Sequence, residues 1–255
     1  MAAPIGHIIS ALALLNSAPE ISNRNEFIAG TSFPDIRYVS DISRKATHYS
    51  EDHSLAYVLR TESSFEAGRR FHVFIDHERE KFMRAHDAYR FIKNTSLKTQ
   101  LLKMVEDEIL YPQFKNKINS KEIFSKIYLE EMGYGLSLAS INSWHTVLKK
   151  YLDDSHWFNI SRYYCSLKEF KKVYARSHEL FGNFWSGIRT IGFLLYAYVQ
   201  IVRLTHNEEL REIVLKFYNQ QLPKRIKEEL EHRKSVVLEQ VQRPVFWKQK
   251  LFNAS

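Results

Sequence analysis

The stretch "SFEAGRRFHVFIDHEREKFMRAHDAYRFI", residues 64–92, decides the fold class, because its apolar side chains recur at spacings of three and four residues. That spacing collects apolar side chains on one face of an α-helix and leaves polar side chains on the other. The same period runs through nearly every segment, whereas the two-residue alternation of a half-buried strand is hard to find. The sequence therefore predicts an all-α fold.

The predicted helices form one domain. The chain has 255 residues but only eight glycines and six prolines, and no stretch has the composition of an interdomain linker. We expect a domain over 1–255 with a metal-site half at about 1–110, a helical remainder at 111–241 and a short tail at 242–255. The helices are predicted at about residues 6–17, 52–60, 64–92, 96–110, 119–132, 137–152, 167–176, 180–204, 207–219 and 223–241.

The segment from Ala18 to Asp52 is polar and differs from the rest of the chain. Pro34 disfavours the helical conformation for Phe33 before it, so Asp35 is expected on an irregular loop. Long irregular connections in compact helical domains are uncommon and are often functional. We therefore expect this segment to be largely irregular but held against the helix that bears His72.

Composition and charge narrow the partners only partly. The formal charge of +8 favours anionic partners, which include phosphate esters, nucleic acid and an acidic membrane surface contacted peripherally. The apolar run Ile191–Val202 is too short to cross a bilayer, so no transmembrane segment is expected. The single Cys165 excludes an intrachain disulfide, and no Lys or Arg precedes the first apolar run as it would in a signal peptide, so a cytoplasmic location is expected.

His72 and Asp76 are the strongest indication of a site. They lie four residues apart, so both project from the same helix face and are able to grip one ion. Imidazole and carboxylate suit zinc, and also manganese or iron. Two ligands do not complete a site, and the best further candidates are Asp35, His48 and His7, although each alone also fits an ordinary turn, surface or partly buried residue.

The order of four short motifs resembles a known family. The motifs "GHIISALALL", "FIAGTSFPDI", "ATHY" and "EAGRRFHVFID" resemble, over roughly the first 90 residues, the zinc-dependent phospholipase C family and its related single-strand nucleases. The resemblance implies a multi-helix fold in which Asp35, His48, His72 and Asp76 enclose one metal ion. It also implies that His7 helps to hold a neighbouring ion, with Asp76 able to bridge the two.

The resemblance is incomplete for the family's remaining metal ligands. The family uses a histidine beyond the HxxxD pair and then an HxxxE pair, and no HxxxE pair appears here. The sequence therefore leaves open whether one, two or three ions bind. The less regular candidates are His77, Glu80, His86 and either Glu106 or Glu108.

These observations lead to one expected function and two alternatives. The first is a metal-dependent hydrolase of a phosphate ester, in which Asp35 is both a ligand and the residue that orients or deprotonates the attacking water. The second is an HD-type phosphohydrolase built on His48, His86, Asp87 and Asp153, and the third is a non-catalytic helical interaction module with a vestigial or structural metal site. The remaining residues of interest are expected to be structural or exposed: Cys165, His145, His156, His178, His206 and His232.

Overall fold

The protein is all-α, as the sequence predicts. The computed structural model describes residues 3–92, 98–153, 196 and 198–242, without the side chains of 237–242. No β-strand occurs in these described ranges, and most of their residues are helical. None of the helices in this part of the chain is both long enough and apolar enough to span a membrane.

The first group of elements precedes residue 93. It contains five α-helices and two short 3-10 helices. In chain order these are α1 (Pro4–Leu15), α2 (Arg24–Ser32), a 3-10 helix (Phe33–Tyr38), α3 (Arg44–His48), α4 (Leu55–Val58), α5 (Ser64–Ala85) and a second 3-10 helix (Ala88–Phe91).

The second group follows from residue 98. It comprises α6 (Lys98–Phe114), α7 (Ser120–Ile123), α8 (Leu129–Gly133), α9 (Leu138–Asp153), helical residues at 198–205, α10 (Glu208–Lys216), a π-helical turn (Phe217–Gln221) and α11 (Leu222–Gln242). Buried apolar side chains of both groups, from Ile5 to Leu230, form one connected core cluster.

Local sequence explains where the central helix α5 begins and ends. The side chain of Ser63 accepts a hydrogen bond from the backbone N–H of Glu66, which is the standard cap of a helix N-terminus. At the other end, Asp87 adopts a left-handed conformation with φ of 48°. Continuing a right-handed helix through such a residue is impossible, so the predicted helix over 64–92 ends at Ala85.

Two glycines bring α2 and α5 into direct backbone contact. A Cβ atom on Gly30 would lie 2.0 Å from the Phe65 carbonyl oxygen, and one on Gly68 would lie 2.1 Å from the Phe27 carbonyl oxygen. Only residues without a side chain permit this approach. It places the end of α2 beside the N-terminal part of α5 and brings the Thr31 carbonyl next to His72.

The prediction that Ala18–Asp52 is largely irregular is wrong. The segment contains α2, the first 3-10 helix and α3, and it packs against α5 as expected. Pro34 occupies the first turn of the 3-10 helix, where its missing N–H costs nothing, and Phe33 is helical with φ of −61° and ψ of −42°. Asp35 therefore lies on a short helix rather than on an irregular loop.

Other predicted boundaries change as well. Residues 119–132 form two short helices, α7 and α8, instead of one, and only Leu55–Val58 is helical within 52–60. The predicted helix at 167–176, most of the one at 180–204 and the tail from 243 lie outside the described residues, as do Cys165, His156 and His178.

Candidate metal centre

Four separate elements bring the predicted ligands together. His7 comes from α1, Asp35 from the first 3-10 helix, His48 from the end of α3, and His72 and Asp76 from α5. Two overlapping groups result, one of His7, His72 and Asp76 and one of Asp35, His48 and His72. Within each group the ligand atoms all lie within 4.8 Å of one another, so the groups could hold a metal ion.

Asp76 is the centre of the arrangement. Its Oδ1 atom lies 3.3 Å from His7 Nε2. Its Oδ2 atom lies 3.6 Å from His72 Nε2 and 3.8 Å from His48 Nε2. The two oxygens of one carboxylate therefore face different histidines, which is the arrangement that a bridging ligand needs.

The three imidazole rings pack on one another. The rings of His7 and His72 are stacked, with centroids 3.8 Å apart and planes 14° apart. The ring of His48 meets that of His72 edge-on, with centroids 5.0 Å apart. His7 and His72 are almost fully buried, so solvent contributes little to the pairing of their nitrogen atoms.

Hydrogen bonds outside the cluster orient two of the rings. His72 Nδ1 lies 2.8 Å from the Thr31 carbonyl oxygen, which only accepts, so Nδ1 carries the proton and Nε2 keeps its lone pair. His48 Nδ1 lies 2.8 Å from Thr47 Oγ1, and this hydrogen bond orients the His48 ring so that Nε2 faces Asp76. An outer hydrogen bond of this kind orients a histidine for metal binding.

Several inner atoms lack protein partners. His48 Nε2, His72 Nε2 and Asp35 Oδ1 are buried and have no hydrogen bond within the described part of the chain. Buried polar atoms are nearly always paired, and leaving one unpaired costs about 1–3 kcal/mol. The lone pairs converge on the same space, so this donor set fits a divalent cation.

Electrostatics favour the ligand forms of these residues. Burial raises the pKa of Asp35, but Lys103 and the neighbouring histidines outweigh it and the pKa is lowered. Burial likewise opposes ionisation of Asp76, yet nearby positive charge outweighs burial and holds its pKa well below 3.8. Burial lowers the pKa of His48 to about 4 and that of His72 well below 6.5. At neutral pH the carboxylates are ionised and these imidazoles are neutral, as metal ligands must be.

The predicted carboxylate candidates Glu80 and Glu106 are engaged elsewhere. Glu106 is fully buried and accepts hydrogen bonds from Arg79 and from the Tyr218 hydroxyl. Glu80 accepts hydrogen bonds from Arg79, Arg84 and Tyr89. Neither belongs to a ligand group among the described residues. Sequence reasoning missed Arg79, although a charged residue three positions after Asp76 on the same helix was a usable signal.

The other weaker candidates also lie apart from the ligand groups. His77 packs its ring on that of His53, with centroids 4.8 Å apart, and lines a cleft beside Asp76. His86 caps the C-terminus of α5, directly after Ala85, and its ring stacks on Phe82. Glu108 is half-buried on α6.

The residues of the HD-type alternative do not come together. Asp87 lies in the left-handed turn after α5, and Asp153 accepts a hydrogen bond from Ser120. Neither shares a ligand group with His48 in the part of the chain that the structure describes. Of the remaining histidines, His145 is buried against Glu131, the exposed His206 lies in the turn after the helical residues 198–205, and the exposed His232 lies on α11.

No protein-family model, curated protein or solved structure matches the chain. The fold and the site therefore define the class by themselves: an all-α protein whose buried histidine and aspartate groups could hold a metal ion.

Proposed function

We propose that the protein is a metal-dependent hydrolase of phosphate esters, as the resemblance to zinc-dependent phospholipase C suggests. The observation that supports it most is the convergence of His7, Asp35, His48, His72 and Asp76 from four elements. In this cluster His48 Nε2, His72 Nε2 and Asp35 Oδ1 have no hydrogen bond to any described residue. A purely structural ion pair or hydrogen-bond network would leave fewer buried atoms without partners.

The donor set favours a first-row divalent ion, with zinc the best fit and manganese or iron also acceptable. Three imidazoles and two carboxylates suit zinc chemistry, and a bound ion would lower the pKa of a coordinated water from 15.7 toward about 7. His48, His72, Asp35 and one oxygen of Asp76 would hold one ion. His7 and the other oxygen of Asp76 offer a place for a second ion.

Asp35 has the best position for proton transfer. Its carboxylate has two oxygens, so one is able to bind the ion while the other orients water and accepts its proton. The lowered pKa of Asp35 keeps the group ionised, which this role requires. Buried Lys103, whose charge lowers that pKa, adds a fixed positive charge near both carboxylates.

Metal analysis of the purified protein tests the first half of the proposal. Wild-type protein should retain zinc, manganese or iron in stoichiometric amount. His72→Ala and Asp76→Asn should lose it, whereas His206→Ala, a control on a distant exposed histidine, should not. A wild-type protein that takes up no divalent ion at micromolar concentrations would refute the proposal.

Turnover tests the second half. Phosphomonoesters, phosphodiesters, nucleotides, phospholipids and single-stranded nucleic acid should be assayed with metal-loaded protein. We expect cleavage of at least one class, its loss with a chelator and its return with added zinc or manganese. Activity that survives complete metal removal would exclude the mechanism, and a metal-loaded protein inactive on every class would leave the interaction module with a structural ion as the better description.

A further inference from the structure

A cleft opens beside the candidate metal centre. It measures about 420 Å³, and its lining includes Arg44, His53, Asp76, His77, Lys81 and Arg84. Asp76 is the residue that belongs both to this lining and to the ligand groups. A molecule that approaches an ion on Asp76 from this cleft therefore meets three basic side chains and one further carboxylate, that of Glu80, which is paired with Arg84.

The basic side chains differ in how strongly the protein engages them. Arg84 forms an ion pair with Glu80, with Nε 2.7 Å from Oε1. Lys81 has no ion pair or hydrogen bond among the described residues, and it lines the cleft directly. Arg44 Nη2 lies 3.9 Å from Asp76 Oδ2, and half of its side chain is exposed, so it reaches from the cleft to the centre.

The charge of the centre makes these side chains important for an anionic ligand. Asp35 and Asp76 together carry two negative charges, which balance one divalent ion. With buried Lys103 nearby, a centre filled by one ion keeps only a small net positive charge, so it offsets part of the charge of a phosphate group and the cleft has to supply the rest. A phosphomonoester carries nearly two negative charges at neutral pH, since its second pKa is about 6, whereas a phosphodiester carries one.

We infer that this cleft is the subsite for a terminal phosphate group, with Arg44 and Lys81 as the residues that neutralise its charge. The inference rests on the proposed function and makes it more specific: the protein acts on phosphomonoesters in preference to phosphodiesters. Arg44 provides a planar guanidinium able to donate two hydrogen bonds to phosphate oxygens, and Lys81 provides a mobile ammonium.

Binding of inorganic phosphate tests the subsite without requiring turnover. Isothermal titration calorimetry on zinc-loaded wild type should be compared with Arg44→Gln, Lys81→Gln and the double variant. The matched control is Lys45→Gln, because Lys45 is exposed on α3 next to Arg44 but does not line the cleft. Zinc content, measured in parallel, reports whether the centre is intact.

We expect each cleft variant to bind phosphate about tenfold more weakly, with a larger loss in the double variant, while Lys45→Gln stays within about twofold of wild type. Zinc content should be unchanged in all variants. Equal phosphate affinity in the double variant and wild type would overturn the subsite.

Kinetics separate this inference from the function on which it rests. Wild-type kcat/KM should be higher for 4-nitrophenyl phosphate than for bis(4-nitrophenyl) phosphate, and Arg44→Gln should reduce the ratio. Charge-dependent phosphate binding without turnover of any ester would refute the proposed hydrolase but support the subsite. Turnover with a preference for the diester, or with a ratio that Arg44→Gln does not change, would overturn the subsite while the hydrolase stands.

Discussion

Two buried polar regions lie one turn apart on α5, and they differ in whether the protein supplies hydrogen-bond partners for their polar atoms. The candidate metal centre surrounds His72 and Asp76, and the second region surrounds Arg79. The Arg79 guanidinium binds both oxygens of Glu106 and also reaches Tyr89. In this second region the protein supplies a partner for the charge, whereas in the first several ligand atoms have none among the described residues. The difference indicates that folding alone completes the Arg79 network, while the ligand groups of the centre could hold a metal ion.

The two regions are linked through α1. Next to Glu106, Asp107 accepts hydrogen bonds from the backbone N–H groups of Ile5 and Gly6 at 3.2 and 3.1 Å and from the Tyr151 hydroxyl at 2.5 Å. A carboxylate at a helix N-terminus satisfies N–H groups that have no partner within the helix. Asp107 therefore anchors the helix turn that carries His7.

The largest effect on stability is expected from removing Arg79 from its network of hydrogen bonds. Arg79→Met would leave Glu106 buried without its charge partner, so the free energy of unfolding should fall by about 3–5 kcal/mol. Urea unfolding of the metal-free protein measures it. Arg84→Met is the control, because its ion pair with Glu80 is largely exposed and should contribute under about 1 kcal/mol. Equal losses in the two variants would show that the network does not stabilise the fold as described.

The next effect concerns pH. Burial raises the pKa of Asp107 from 3.8 to about 7, so the native state keeps a proton that the unfolded state has lost between these values. The stabilisation from this group is fully present below about pH 4 and is lost as the pH rises through about 7. The free energy of unfolding of wild type minus that of Asp107→Asn should therefore fall by up to about 4 kcal/mol as the pH rises over that window.

The buried histidines change the unfolding free energy with pH in the opposite direction. Because wild type and Asp107→Asn share these histidines, their contribution cancels when the two unfolding free energies are subtracted. His48 and His72 have lowered pKa values, so they are more readily protonated when unfolded and stabilise the protein less as the pH falls below about 6.5. Urea titrations at intervals from pH 4 to pH 8 supply the data. A difference that stays flat, or grows with pH, would contradict the raised pKa of Asp107.

A smaller effect is expected from filling the centre. Zinc at a hundredfold excess over its dissociation constant should stabilise wild type by about 2.7 kcal/mol, since only the native state assembles the ligands. His72→Ala should lose this gain, and His206→Ala should keep it. Thermal unfolding with and without zinc measures both. If zinc stabilised His72→Ala as much as wild type, the ion would have to bind elsewhere.

The smallest effect is expected for Glu80→Gln. Glu80 is held by Arg79, Arg84 and Tyr89, so its replacement should change zinc affinity by less than about twofold. Titration calorimetry with zinc measures it beside Asp76→Asn, for which we expect a loss of at least a hundredfold. A loss of similar size in both variants would place Glu80 among the ligands and erase the contrast between the two regions.

Sequence periodicity was sufficient for the fold class and for the pairing of His72 with Asp76, because both depend on the geometry of a single helix. It missed α2, although Asn23 and Glu26 form a capping pair ahead of the apolar residues Phe27 and Ile28. Pro34 disfavours a helical conformation for the residue before it, which argues against a helix here, whereas in the structure Pro34 starts a helical turn.

The contrast between the two regions could not be read from sequence. Glu106 lies 27 residues from Arg79 in the chain, and Tyr218 lies 112 residues beyond Glu106. Which carboxylate meets an arginine and which meets histidines depends on tertiary packing rather than on any local period. The sequence therefore predicts Glu80 and Glu106 as metal ligands, whereas in the structure both accept hydrogen bonds from arginine and tyrosine side chains.

The direct contact between α2 and α5 at Gly30 and Gly68 has a consequence for how this chain can change over evolutionary time. The separation of the two backbones is set by the atoms of the main chain themselves, so exchanges among large core side chains cannot widen or narrow it. The distance between the Thr31 carbonyl and the His72 ring should therefore be preserved when the surrounding core residues are substituted. A substitution at either glycine, in contrast, would push the two helices apart. These two positions should therefore be far less tolerant of substitution than the aromatic core residues around them.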